Sequence, residues 1–221
     1  DNHALLSATG QHQWYTVKGG SIEYVSRLGA DMAQRGIDIR LGAPIDGVRR
    51  NAHGAEVKTH GAEWESFDEV VFATHSDDTL RMITDATAVE QSVLGAVRYQ
   101  PNKVVLHSDT TIMPKRRQVW SSWVYTEDAQ KTDKEINLTY WMNSLQPWLR
   151  GGQDMMVTLN TKRPIREDLI WDEVTLHHPV YALAAFAAQE PAAAINGSTL
   201  TSFFAPLLNH RLHARLPSHP H

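Results

Sequence analysis

Apolar residues recur at spacings of three and four from Ile22 through Val25, Leu28 and Met32, the period of a helix that lays one stripe against other structure. Ser21, behind two glycines, is the expected N-cap, and Gly36 stands where a left-handed residue ends a helix. This helix is expected to pack on a sheet. The period then drops to two. Ile37-Asp38-Ile39-Arg40-Leu41 alternates as a half-buried strand should, and Pro44 separates it from a second strand, Ile45 to Arg50. Asn51-Ala52-His53-Gly54 has hairpin chemistry, Glu56 to His60 is the return strand, and Gly61 allows another turn before Trp64 and Phe67. Val70-Val71-Phe72-Ala73 is continuously apolar, the composition of a strand buried on both faces. Ser76-Asp77-Asp78 caps a helix with acids in its first turn.

From about residue 97 the pattern becomes β-rich. Lys103 to Ser108, Val119 to Tyr125, Ile136 to Met142 and Met155 to Asn160 all read as strands, with the polar stretch Thr126 to Lys134 as a hairpin connection. Ala182 to Ala194 is helical in propensity and interrupted at Pro191. Residues 205–221 hold three prolines and four histidines without period and are expected to be poorly ordered. Three regions follow: 1–96, 97–200 and a tail, 201–221.

Composition narrows the functions. Among 221 residues, 42% are hydrophobic and 21% charged, ordinary for a globular chain with a sizeable core. A net charge of -4 and a pI near 6.3 give no electrostatic reason to expect nucleic acid or an anionic membrane surface. The basic run Lys115-Arg116-Arg117 reads as solvated loop. Zero cysteines exclude disulfides, thiolate catalysis and cysteine-bound metal, and fit a reducing compartment, so the cytoplasm is expected. No run approaches the roughly 18 apolar residues of a membrane span. Asp1-Asn2-His3 is neither a signal peptide nor an initiator, and the chain is expected to begin inside a longer one. There is no G-x-S-x-G elbow, Walker loop or H-E-x-x-H, which leaves hydrolase, NTPase and zinc-protease readings without support.

Three ordered motifs carry a resemblance. They are Trp14-x-Thr16-Val17-x-Gly19-Gly20-Ser21-x-x-Tyr24-Val25, then Ile39-Arg40-Leu41-x-x-Pro44-Ile45-x-x-Val48, then Phe67-Asp68-Glu69-Val70-Val71-Phe72-Ala73-Thr74-His75-Ser76-Asp77. With Tyr99-Gln100-Pro101-Asn102, Met113-Pro114-x-Arg116-Arg117, Thr139-Tyr140-Trp141-Met142-Asn143 and His178-Pro179-Val180, the chain resembles the flavin-containing amine oxidase and phytoene desaturase superfamily. Within it the similarity is to bacterial NAD/FAD-binding oxidoreductases, and it extends to roughly residue 200. The resemblance implies a mixed α/β fold, comprising part of a FAD-binding Rossmann-like domain and a β-sheet-rich substrate domain, apparently incomplete. It implies FAD as cofactor and hydride transfer from a C–N or C–C bond of a small molecule, an amine or a lipid-like compound. It places Pro44 and Ile45 beside adenine, approached through the backbone, and the strand end at Ala73 and Thr74 near the cofactor. It assigns no catalytic residue.

The superfamily also carries a G-x-G-x-x-G turn and a second glycine-rich FAD segment near its C-terminus, and neither occurs here: after Thr201-Ser202-Phe203-Phe204 the sequence reads Ala205-Pro206-Leu207-Leu208. Weak flavin binding or none is therefore expected of this chain alone. The alternatives are a catalytically silent truncated domain and a module that holds an apolar ligand without flavin. Trp120, Trp123, Tyr125, Tyr140, Trp141 and Trp148 could line such a cavity, although Trp123 and Trp141 read better as core. Neither His177-His178 nor His210 with His213 forms a metal site by spacing, so no specific metal is expected.

Overall fold

The computed structural model describes residues 15–126, 137–180, 182–197 and 201–203. In chain order the elements are α1 (Ser21–Gln34), β1 (Ile45–Asn51), β2 (Gly54–Thr59), β3 (Trp64–Phe67), β4 (Val70–Phe72), α2 (Ser76–Met82), α3 (Ala88–Leu94), β5 (Arg98–His107), β6 (Trp123–Thr126), β7 (Asn137–Trp141), α4 (Met142–Leu145), β8 (Met156–Leu159), β9 (Ile170–Val180), α5 (Leu183–Ala187), α6 (Gln189–Ile195) and β10 (Thr201–Phe203). They fall into two compact units, whose described parts are residues 15–39 with 101–178, and residues 40–100 with 179–203.

The second of these units holds two sheets. The antiparallel sheet β1-β2-β3 grows from the expected hairpin at Asn51–Gly54, with Asn51 opposite Gly54 and Arg49 opposite Glu56. Asn51 Oδ1 accepts the His53 N–H at 2.8 Å, the local bond that lets asparagine stand in for backbone in a turn. Gly54 is needed for a different reason: a Cβ there would lie 2.2 Å from the Phe67 carbonyl oxygen. The other sheet is a parallel pair, β10-β4. Its Phe72 and Phe203 rings stack with centroids 5.8 Å apart and join Val48, Ile83, Val93, Leu94, Ala192 and Ile195 in the core.

One polar cluster, centred on Glu90, borders this core. Arg50 reaches from β1 to Glu90 on α3, to Asp85 and to Thr201. Glu90 and Thr87 complete a capping box on α3, with Thr87 N–H to Glu90 Oε2 at 2.8 Å and Glu90 N–H to Thr87 Oγ1 at 3.2 Å.

The unit comprising 15–39 and 101–178 is built on a five-stranded sheet, β6-β7-β8-β5-β9, with antiparallel pairing of β6 with β7, β7 with β8 and β8 with β5. Alternation divides its residues. Val105, His107, Thr139, Met156 and Thr158 share a buried face, while Val104, Leu106, Leu138, Tyr140, Val157 and Leu159 point the other way and are mostly half-buried.

Several local expectations change. Gly20, with φ of 90°, is the N-cap of α1, and Ser21 becomes the first helical residue because the preceding turn ends in a conformation only glycine adopts readily. Gly36 does end the helix: its N–H meets the Ala33 carbonyl and that of Ile37 the Met32 carbonyl, a Schellman closure. No residue of α1 is buried, so the stripe of Ile22, Val25 and Leu28 is exposed rather than packed on a sheet.

Ile37 to Leu41 forms no strand. Alternation needs a pairing partner, and Leu41 instead enters a turn 89% exposed. β4 is buried on one face only, with Val71 57% exposed. The alanine-rich helix breaks at Ala188, ahead of Pro191, which then sits in the first turn of α6 where its missing N–H costs nothing. β9 has no counterpart in the sequence reading, and the expectations for Thr126 to Lys134 and for residues 205–221 fall largely or wholly outside the described residues.

Candidate functional site

The chain leaves the parallel pair at Ala73 and Thr74, both exposed, passes His75 and enters α2 at Ser76. Carboxyl ends of parallel strands are where the following loop opens a ligand crevice in α/β folds. Here that loop is held from beneath by Tyr99 of β5. The His75 ring stacks on Tyr99 at 4.3 Å and 17°, and Tyr99 Oη accepts the Ser76 N–H at 2.9 Å. Thr79 Oγ1 donates to the His75 carbonyl at 2.9 Å, so its lone pair accepts from Thr74 Oγ1 at 2.8 Å. The Thr74 hydroxyl is thereby used inside the loop, and Ala73 presents backbone and a single methyl to solvent.

Pro44 and Ile45 head β1, an edge strand of its sheet. The Pro44 carbonyl accepts the His60 N–H at 2.9 Å, across from β1. In a planar trans peptide the N–H points opposite to the carbonyl, so the Ile45 N–H points away from β2, toward the edge of β1 that Thr84 and Asp85 meet further along at Val48 and Arg50. A main-chain donor on a strand edge, next to an Asp46 whose carboxylate is engaged by His60 at 3.1 Å, suits the acceptor edge of a flat heterocycle such as adenine. The residues present fit the adenine end of FAD. The two pairs, Pro44 with Ile45 and Ala73 with Thr74, belong to one unit but stand on different elements.

His75 and Tyr99 are the residues of this region that sequence reasoning did not single out. Both lay inside the motifs that carried the resemblance, and the available signal was an aromatic ring directly after an apolar strand. His75, Asp77 and Asp78 bring three donor atoms within 4.8 Å of one another, although Asp78 is already paired with Arg81 at 2.6 Å. His178 Nδ1 lies 2.8 Å from Asn102 Nδ2, and His210 and His213 lie outside the described residues.

In the five-stranded sheet Trp123 and Tyr140 meet edge to face at 6.4 Å on the half-buried side, joined there by Tyr125 through strand register. Trp123 is exposed rather than core, and Trp148 is exposed as well. Burial, with Tyr125 nearby, holds the Tyr140 hydroxyl above its ordinary pKa. On the opposite face His107 is fully buried, with Nδ1 accepting the Asp109 N–H at 3.1 Å and Nε2 lying 2.7 Å from Thr158 Oγ1. Burial pushes this imidazole down, against the pull of Asp109. A cleft of about 470 Å³ runs along α1, lined by Val17, Lys18, Glu23, Tyr24, Arg27 and Leu28, and includes none of the residues expected at the cofactor. Among the described residues no helix is long and apolar enough to cross a membrane.

No family model matches the chain, and no curated protein matches it in sequence. Solved structures do match. A doubly substituted putrescine oxidase redesigned for cofactor binding is similar at a TM-score of 0.56 and 11% identity, over 85% of this chain and 47% of its own. A reduced UDP-galactopyranose mutase is similar at 0.54 and 11%, over 84% and 45% respectively. The chain thus spans less than half the length of these structures. At such identity the likeness is one of fold alone, and it shows a mixed α/β chain carrying part of the fold of these two structures.

Proposed function

We propose that this chain is the central flavin-contacting and substrate-side part of an FAD-dependent oxidoreductase of the amine oxidase type. In this reading Pro44 and Ile45 receive adenine, and Ala73 and Thr74 form the rim along which the cofactor passes. The observation that carries it is the Pro44 to His60 bond, which turns the Ile45 N–H away from β2. When bound, FAD supplies the hydride acceptor for oxidation of a C–N or C–C bond. The chain's own residues bind and orient. Tyr99 and His75 hold the rim in place, and the sheet face with Trp123, Tyr125 and Tyr140 offers aromatic surface to a small amine or lipid-like substrate. The absence of cysteine makes the cytoplasm the compartment this reading favours.

The sequence holds no G-x-G-x-x-G turn, so the isolated chain is expected to bind flavin weakly. The test is equilibrium dialysis of the chain against FAD, read as visible flavin absorption in excess of the dialysate, with circular dichroism on the same sample. Excess flavin absorption with a folded protein supports the reading. A folded protein without that excess favours the silent-domain or apolar-ligand alternative for this chain.

A further inference from the structure

Of the three consecutive cations at residues 115–117, the structure puts Arg117 to a specific use. Its guanidinium carbon lies 4.6 Å from the Trp120 ring centroid and 5.3 Å from that of Trp141. The two indoles meet edge to face, 5.3 Å apart at 88°, so they present two walls at right angles. Asp154 closes the third side and accepts from Nη1 at 2.6 Å and Nη2 at 2.9 Å. The walls are held independently of their occupant: Trp120 Nε1 donates to the Pro114 carbonyl at 2.7 Å, and Trp141 Nε1 donates to Asp154 Oδ1 at 3.0 Å. The Asp154 side chain is 16% exposed and that of Arg117 60%, so the carboxylate forms the floor and the cation enters from solvent.

Two orthogonal π faces over a recessed carboxylate recognise a planar organic cation, because the ring quadrupoles attract its charge while the fork of N–H donors matches the carboxylate. Arg117 reaches this receptor from a single 3-10 turn, Arg117–Val119, flanked by extended residues, and its carbonyl accepts the Trp120 N–H at 3.0 Å, a backbone bond that shortening the Arg117 side chain leaves in place. We propose that Trp120, Trp141 and Asp154 form a guanidinium-binding site, closed in the resting protein by Arg117 and opened to a small monosubstituted guanidinium compound when Arg117 swings outward. The proposal is independent of the flavin reading. A tethered side chain competes at an effective concentration in the millimolar range, so an external ligand without further contacts needs millimolar levels to displace it.

The test is tryptophan fluorescence of Arg117→Ala titrated with methylguanidinium chloride at constant ionic strength, below denaturing concentrations, with circular dichroism recorded throughout. A saturable change is expected at low millimolar ligand. It should shift to several-fold higher concentration in the wild type, vanish when Trp141→Leu is added, and be at least fivefold weaker with methylammonium, which has the charge but not the fork. An unsaturable response, equal response in the wild type, persistence with Trp141→Leu, or equal binding of methylammonium would each overturn the proposal. Should Arg117→Ala not fold, the Trp120 and Trp141 indole N–H resonances of the wild type give the same answer: saturable shifts with methylguanidinium support the site, and unmoved resonances refute it.

Discussion

Glu90 accepts both arms of the Arg50 guanidinium, and the pair is buried, with side chains 2% and 8% exposed. Glu90 also serves Thr87, so one carboxylate anchors β1 and caps α3. Burial alone would raise its pKa, but the bonds from Arg50 and Thr87 hold it below the ordinary carboxylate value. Arg50→Met leaves that carboxylate buried without its partner, and chemical denaturation should show a loss of about 3–5 kcal/mol. Because the folded pKa is depressed, the stabilisation is present above the unfolded value of about 4.3 and is lost as pH falls through the lower folded one. The acid limb of the stability curve should therefore flatten in Glu90→Gln.

His107 gives a pH dependence of the same sign in a higher window. Its Nδ1 accepts the Asp109 N–H, so Nε2 carries the proton of a neutral ring and donates to Thr158, whose hydroxyl lies 2.9 Å from that of Thr139. Protonation at Nδ1 would destroy the first bond. With a folded pKa below the unfolded value of about 6.5, stability is full above 6.5 and declines as pH falls below it. Melting temperatures between pH 7.5 and 5 should fall for the wild type more than for His107→Gln, and equal slopes would refute the assignment.

Gly54 sits so close to Phe67 that any side chain displaces β3 from β2. Gly54→Ala should cost about 1–3 kcal/mol, read by urea denaturation, whereas Gly61→Ala, whose cost comes from its left-handed backbone, should leave the β2–β3 amide shifts in place.

Val71 is a solvent-facing valine in a two-stranded parallel sheet, an arrangement that invites edge pairing. Val71→Lys should change stability by less than about 0.5 kcal/mol. It should also lower concentration-dependent association in light scattering.

What the sequence made legible was local. The hairpin at Asn51–Gly54 and the helix end at Gly36 are each encoded within a few residues, and both form as read. Ile37 to Leu41 had the right alternation and no partner to pair with, which no local pattern reveals. β9 was hidden because an edge strand containing Asp172, Glu173, two histidines and Pro179 lacks the apolar signature of a paired interior strand. The same limit applies to the candidate site. Ala73 and Thr74 stand at a strand end that the apolar run announces, but Tyr99, which fixes their loop, arrives 23 residues after Ser76. Arg50 with Glu90, and His107 with Thr158, are separated by 40 and 51 residues, and only tertiary pairing joins them.

The most direct test of the cofactor reading is a flavin fluorescence titration comparing FAD with FMN, on the wild type and on Ala73→Arg, a change at an exposed position that should leave the fold intact. If, as proposed, Ile45 offers its N–H to adenine and Ala73 lines the rim, FAD should bind saturably and at least tenfold more tightly than FMN, and Ala73→Arg should weaken it several-fold. Equal affinity for FAD and FMN, or no saturable binding of FAD by the folded chain, would contradict the account.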